Sequence, residues 1–132
     1  MIPVVFINCS RFPFIDWLRT GEKTYETRTR NTLVSLVGKR VLLAETGKGR
    51  PLVKCSAVLV QARPVTDRTT WESVIRKPAK IEPGSMYDWK PETRVKYPYK
   101  LVDVRPVPVP FHPAEGVRHG RVWMETESLE VT

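Results

Sequence analysis

Gly21-Glu22-Lys23-Thr24-Tyr25-Glu26-Thr27-Arg28 is the stretch on which the reading of this chain turns. From Thr24 onward, polar and charged residues recur at strand spacing: Thr24, Glu26, Arg28 and Arg30 on one side, Tyr25, Thr27 and Thr29 on the other. Successive side chains of a strand point to opposite faces, so Thr24, Glu26 and Arg28 are expected to share one. A face carrying both a carboxylate and a guanidinium is not a core-facing pattern. Two readings stand. One is a solvated strand edge, with Lys23 as a charge that blunts aggregation. The other is a polar site on a sheet, with cations for an anionic ligand and a carboxylate for hydrogen bonding or proton transfer.

The flanks are well punctuated. Val4 to Ile7 is a continuous apolar run, as expected of a strand buried on both sides. Asn8, Cys9 and Ser10 turn the chain, and Pro13 suits the first turn of a helix. Phe14, Trp17 and Leu18 form one apolar stripe, with Asp16 early and Arg19 late as the helix dipole favours. Gly21 supplies a left-handed C-terminal cap. Trp17 and Tyr25 are expected in the core.

Beyond the central stretch, 32–37 is ambiguous, and the strands Arg40–Glu45 and Val53–Gln61 form a hairpin across 40–61. Its turn, Gly47-Lys48-Gly49-Arg50-Pro51, sets two cations between glycines where they can touch phosphate. The needs of the turn alone also explain the glycines and the proline. Trp71, Val74 and Ile75 repeat the helical stripe, capped by Thr69 or Thr70 and stopped by Pro78. Residues 77–98 read as a long loop of the functional kind. Tyr99–Val104 is a strand, Pro106, Pro108 and Pro110 extend the chain outside any central strand, and a last strand surrounds Val122, Trp123 and Met124 within 117–127. The order β-α-β-β-β-α-loop-β-β predicts a small, partly closed mixed barrel with helices at its ends, an α+β fold.

The chain has 132 residues, the size of one domain, and is 41% hydrophobic. Lys and Arg number 22 against 14 Asp and Glu, a formal charge of +8 that favours RNA, DNA or an anionic small ligand as partner. Cys9 and Cys55, the only cysteines, lack zinc spacing, and a disulfide between them stays open. His112 and His119 are isolated, so neither a metal nor any other cofactor is expected. Ser10 and Cys9 have no paired base in sequence. With neither a signal peptide nor an apolar run near the roughly 20 residues of a membrane span, a cytoplasmic monomer with reduced thiols is expected.

Arg11-Phe12-Pro13-Phe14, a short helix, and then Gly21-x-Lys23-x-x-Glu26-x-Arg28 resemble the signature of ASCH domains in the PUA-like superfamily. Tyr99–Val107 is similar to that family's penultimate strand, and Trp123 lies in a segment similar to its closing one. The resemblance implies a small PUA-like β-barrel with flanking short helices. It further implies an RNA- or nucleotide-binding cleft lined by Lys23, Thr24, Glu26 and Arg28, with Arg11 joining from the start of the helix. Some relatives deacylate acetylated cytidine with the motif Lys, a Thr two residues before the motif Arg, and a later Glu. This chain carries Glu26 where that Thr stands, with Thr24 nearby and Glu72 as the distant acid. If the protein is a hydrolase of a modified nucleoside or of RNA, Lys23 and Glu26 are the catalytic pair. Beside Glu26, Lys23 is expected to stay protonated as an electrostatic anchor.

Overall fold

A computed structural model describes residues 2–126. Seven strands make one sheet: β1 (Ile2–Asn8), β2 (Tyr25–Arg28), β3 (Arg40–Thr46), β4 (Leu52–Gln61), β5 (Tyr97–Phe111), β6 (Val117–His119) and β7 (Trp123–Thr126). Their spatial order is β2-β5-β4-β3-β1-β7-β6. Among the described residues only β1 and β3 run parallel, and every other pair is antiparallel. Although β2 and β1 lie four places apart in that order, an Arg28 Nη2–H donates to the Phe6 carbonyl at 2.9 Å. The sheet has therefore curled on itself into a half-barrel, the expected α+β architecture.

Helix α1 (Phe14–Thr20) packs against the concave face. It ends as expected, at Gly21 with φ +82°. β1 is buried on both sides. Val5 and Ile7 join the main core with Ile15, Leu18, Leu43, Leu59 and Tyr99, whereas Val4 and Phe6 join a smaller cluster with Ala44, Val53 and Met124. The 40–61 hairpin forms as read. Cys9 and Cys55 are buried free thiols, which closes the disulfide question.

Two expectations need correction. The second helix is capped by Asp67, whose Oδ1 accepts from the Thr70 backbone N–H at 2.7 Å, and not by Thr69 or Thr70. It opens as α2 (Arg68–Thr70) and continues as one π-helical turn, Trp71–Ile75, burying Trp71 and Ile75 and leaving Val74 exposed. Second, β5 runs through Pro106, Pro108 and Pro110. It can do so because β2 pairs only with Tyr97–Lys100, so beyond Lys100 one side of β5 has no strand to bond. The register with β4 shifts near Asp103, which adopts φ +50°, as at a bulge. Among the described residues no helix is long and apolar enough to cross a membrane.

Candidate functional site

The turn at Gly21 aims Lys23 inward. The Lys23 backbone N–H returns to the Trp17 carbonyl at 3.0 Å, and the next residue's N–H bonds the Pro78 carbonyl at 2.8 Å. The Lys23 side chain is fully buried: its ammonium donates to the Ala79 carbonyl, lies 4.4 Å from the centre of the Phe14 ring and stands 3.9 Å from Glu26 Oε1. Burial lowers its pKa to about 8, with Arg28 acting in the same direction and Glu26 and Cys9 opposing.

One strand step on, the buried Glu26 and half-buried Arg28 share the face predicted for them. Arg28 Nη2–H donates to Glu26 Oε2 at 3.0 Å as well as to the Phe6 carbonyl. Glu26 Oε1 accepts from the Thr27 backbone N–H at 3.3 Å. The Arg28 Nε–H is buried and has no hydrogen-bond partner among the described residues. Both side chains line a cavity of about 140 Å³, walled also by Ile7, Asn8, Phe14 and Tyr87. The pair is thus set in a concavity between β1, α1 and the 77–98 segment, and the solvated-edge reading is set aside.

That segment, unassigned in sequence beyond being a loop, forms the far wall. Asp88 is its fastener: Oδ1 accepts from the Trp71 indole at 2.7 Å, the Trp89 N–H at 2.8 Å and Arg76 Nε–H at 3.2 Å, while Oδ2 accepts from the Gly84 N–H at 2.8 Å. Burial pushes the Asp88 carboxyl up, but these donors together outweigh it and hold the group down at about 2. Buried Lys96 donates to the Tyr87 carbonyl and lies 4.6 Å over the Trp71 ring. So held, Tyr87 meets Phe14 edge-on at 5.1 Å, and the segment also offers the Ala79 carbonyl to Lys23.

The other sequence candidates lie elsewhere. Thr24 is outside the cavity wall, its hydroxyl donating to the Pro78 carbonyl at 3.4 Å. Arg11 is exposed, and its charge is felt at Tyr87, where it partly offsets the upward push of burial on the phenol. Glu72 is tied to Arg68 at 2.7 Å and Arg76 at 2.9 Å on the outer side of the π-turn, and does not line the Glu26 cavity. His112 engages the Pro51 carbonyl at 2.8 Å, and His119 stacks on Trp123 at 3.9 Å. Among the described residues, no group of three or more His, Cys, Asp or Glu side chains could hold a metal ion. Asn8, Tyr87, Asp88 and Lys96 escaped the sequence reading. Only the unusual length of the loop pointed toward the last three.

No protein-family profile and no curated protein sequence matches the chain. Solved structures do. The ASCH protein of Zymomonas mobilis is similar at 21% identity with a TM-score of 0.63, over 83% of this chain and 72% of that one. A tyrosine-to-phenylalanine mutant of that protein gives 21% and 0.66 over 83% and 74%. A serine-to-alanine mutant gives 23% and 0.63 over 83% and 72%. The chain has the fold of an ASCH domain.

Proposed function

We propose that the Glu26–Arg28 cavity binds one nucleobase of an RNA or nucleotide, with cytosine as the best-fitting base. The observation that supports this most directly is Arg28, which keeps an unpartnered Nε–H, beside a carboxylate that still has acceptor capacity, the two residues lining one small cavity. A buried donor without a partner costs free energy in the empty protein, which a ligand acceptor recovers. The edge of cytosine offers an amine donor next to ring and carbonyl acceptors. The amine suits Glu26 and the acceptors suit Arg28. Phe14 and Tyr87 supply apolar walls for a flat ring. The role of Lys23 in this reading is to position Glu26 from behind: it is not among the lining residues, so it is no direct phosphate ligand.

Titration calorimetry with cytidine and uridine tests the assignment. Cytidine should bind more tightly, and Glu26→Gln should erase most of the difference. Equal affinities for the two nucleosides, or a preference that survives Glu26→Gln, would remove it.

One observation favours a second reading, hydrolysis of an acylated cytidine. Lys23, with its pKa lowered to about 8, is close enough to neutrality to serve as a base. Against it, the ammonium is directed at the Ala79 carbonyl and Glu72 is absent from the cavity wall. Incubation with acetylated cytidine, followed by chromatography, separates the readings. Turnover that vanishes in Lys23→Ala would establish the enzyme.

A further inference from the structure

The size of the cavity limits what enters it. Small-molecule sites usually enclose about 300 Å³ or more. At about 140 Å³ this one has room for a single pyrimidine ring but not for the ribose and phosphate attached to it. Asn8, which walls the cavity, is also the residue on which the β3–β4 turn rests. Gly47 has φ +87°, and a Cβ placed there would stand 2.9 Å from Asn8 Oδ1 and 3.0 Å from Ser10 Cβ. Only a glycine combines that backbone with that approach. The Thr46 carbonyl, just before it, accepts from the Cys9 N–H at 2.9 Å, pinning the turn to the end of β1. Asn8 Oδ1 is occupied by the Ser10 N–H and hydroxyl, at 2.9 and 2.6 Å.

The turn held in this way carries Lys48 and Arg50, both exposed. Arg11, three residues beyond Asn8, adds a third exposed cation. None of the three has an ion-pair partner among the described residues. Most other cations near the site are already engaged: Lys54 with Glu45 at 2.7 Å, Arg76 with Asp88, Lys80 with Glu22 at 3.6 Å. From this arrangement, and resting on the base-binding reading above, we infer that the turn 47–51 is the phosphate-binding arm of the same site. Lys48 and Arg50 receive the phosphate of a nucleotide whose base lies against Glu26. The ligand class is then a nucleotide or phosphodiester, and not a free nucleoside. The Gly47 contact makes the arm's position a built property of the rim, and the glycine at position 49, φ +106°, keeps the backbone free of side chains between the two cations.

Calorimetry with cytidine, cytidine 5′-monophosphate and a short oligocytidylate, on the wild type and the Lys48→Ser/Arg50→Ser double variant, tests this. The wild type should bind the monophosphate about tenfold or more tightly than cytidine, as a charge-assisted contact provides. The double variant should lose that preference while holding cytidine as before. An oligocytidylate tighter than the monophosphate identifies a chain phosphodiester as the natural group; the reverse order identifies the terminal phosphate of a free nucleotide, and either supports the arm. Equal wild-type affinities for cytidine and its monophosphate, or a preference intact in the double variant, would overturn the arm and leave base binding standing. Failure of all three ligands to bind would overturn both.

Discussion

Among the described residues three carboxylates are buried beside cations, Glu26, Glu45 and Asp88, and the first and last of them are built differently. Asp88 receives four donors, two of them backbone N–H groups, three on Oδ1 and one on Oδ2. Glu26 receives one guanidinium N–H and a long bond from its own neighbour, while Lys23 beside it gives its hydrogen bond to a carbonyl instead. Both clusters pair an acid with an arginine. The difference is saturation. A saturated carboxylate fastens a loop; one left with capacity at a cavity wall is poised to accept from something else. Charge burial alone therefore does not mark a site, whereas incomplete satisfaction beside a void does.

The largest effect that can break this comparison is on stability. Asp88→Ala removes the acceptor for four donors, leaving the buried Trp71 indole N–H and the half-buried Arg76 Nε–H unpaired. Urea unfolding should show a loss of about 3–5 kcal/mol. A loss under about 1 kcal/mol would mean that the loop holds without its fastener. The acid limb adds a check on sign. The folded-state pKa of about 2 lies below the ordinary 3.8, so the Asp88 contribution is complete above about 3.8 and disappears as pH falls through 2. The stability gap between wild type and Asp88→Asn should narrow over that window.

Glu26 should behave in the opposite manner. Glu26→Gln keeps the shape and an acceptor for Arg28 but removes the charge that faces Arg28 at 3.0 Å and Lys23 at 3.9 Å, so stability should fall by less than in Asp88→Ala, by about 1–2 kcal/mol. Cytidine affinity should fall about tenfold, since a charge-assisted bond becomes a neutral one. A variant that unfolds readily would place Glu26 with Asp88 among the fasteners. Ionic strength then separates cavity from rim. If two phosphates of an oligonucleotide are neutralised at the rim, raising salt from about 50 to about 200 mM should weaken it about sevenfold, with a slope of about −1.4, while cytidine stays flat. A steep slope for cytidine would contradict that division.

What was legible in the sequence was what local period and punctuation encode. The apolar run Val4–Ile7, the Phe14–Leu18 stripe closed by Gly21, and the alternation that put Glu26 and Arg28 on one face all follow from spacings of two to four residues. Thr24 failed that alternation because it lies before β2, where its backbone and hydroxyl bond Pro78 instead. The length of β5 was hidden because three prolines argue against a strand bonded on both sides, and the sequence does not say that β2 stops at the fourth pair. The wall supplied by Tyr87 was hidden for a deeper reason. Its position depends on Asp88 reaching Trp71, 17 residues away, and no periodicity reports such a contact. Lys23 read as a cleft-lining cation because position alone does not reveal that the Ala79 carbonyl, 56 residues later, comes to meet it.

That burial of Lys23 yields the smallest effect and the finest test. Its folded-state pKa, about 8, lies below the ordinary 10.5, the reverse of a lysine that simply gains a partner. Below pH 8 the folded and unfolded chains both hold the proton, and the fold bears the full cost of a desolvated ammonium. Between pH 8 and 10.5 the unfolded chain holds more protons than the folded one, so this group makes stability rise with pH. The Cys55 thiol, pushed by burial from 9.0 up to about 11, works the other way, because its contribution is lost as pH climbs from 9 through 11. A single pH profile would blend the two. Comparing wild type with Lys23→Met cancels the thiol, which titrates in both proteins. From about pH 7 to about pH 9 the wild type should gain about 1 kcal/mol on the variant in urea unfolding, as one proton lost over about one pH unit requires. A gap that does not change would mean that Glu26 keeps Lys23 fully charged. The carboxylate would then be committed to the ammonium as Asp88 is to its donors, and the contrast between the two clusters would disappear.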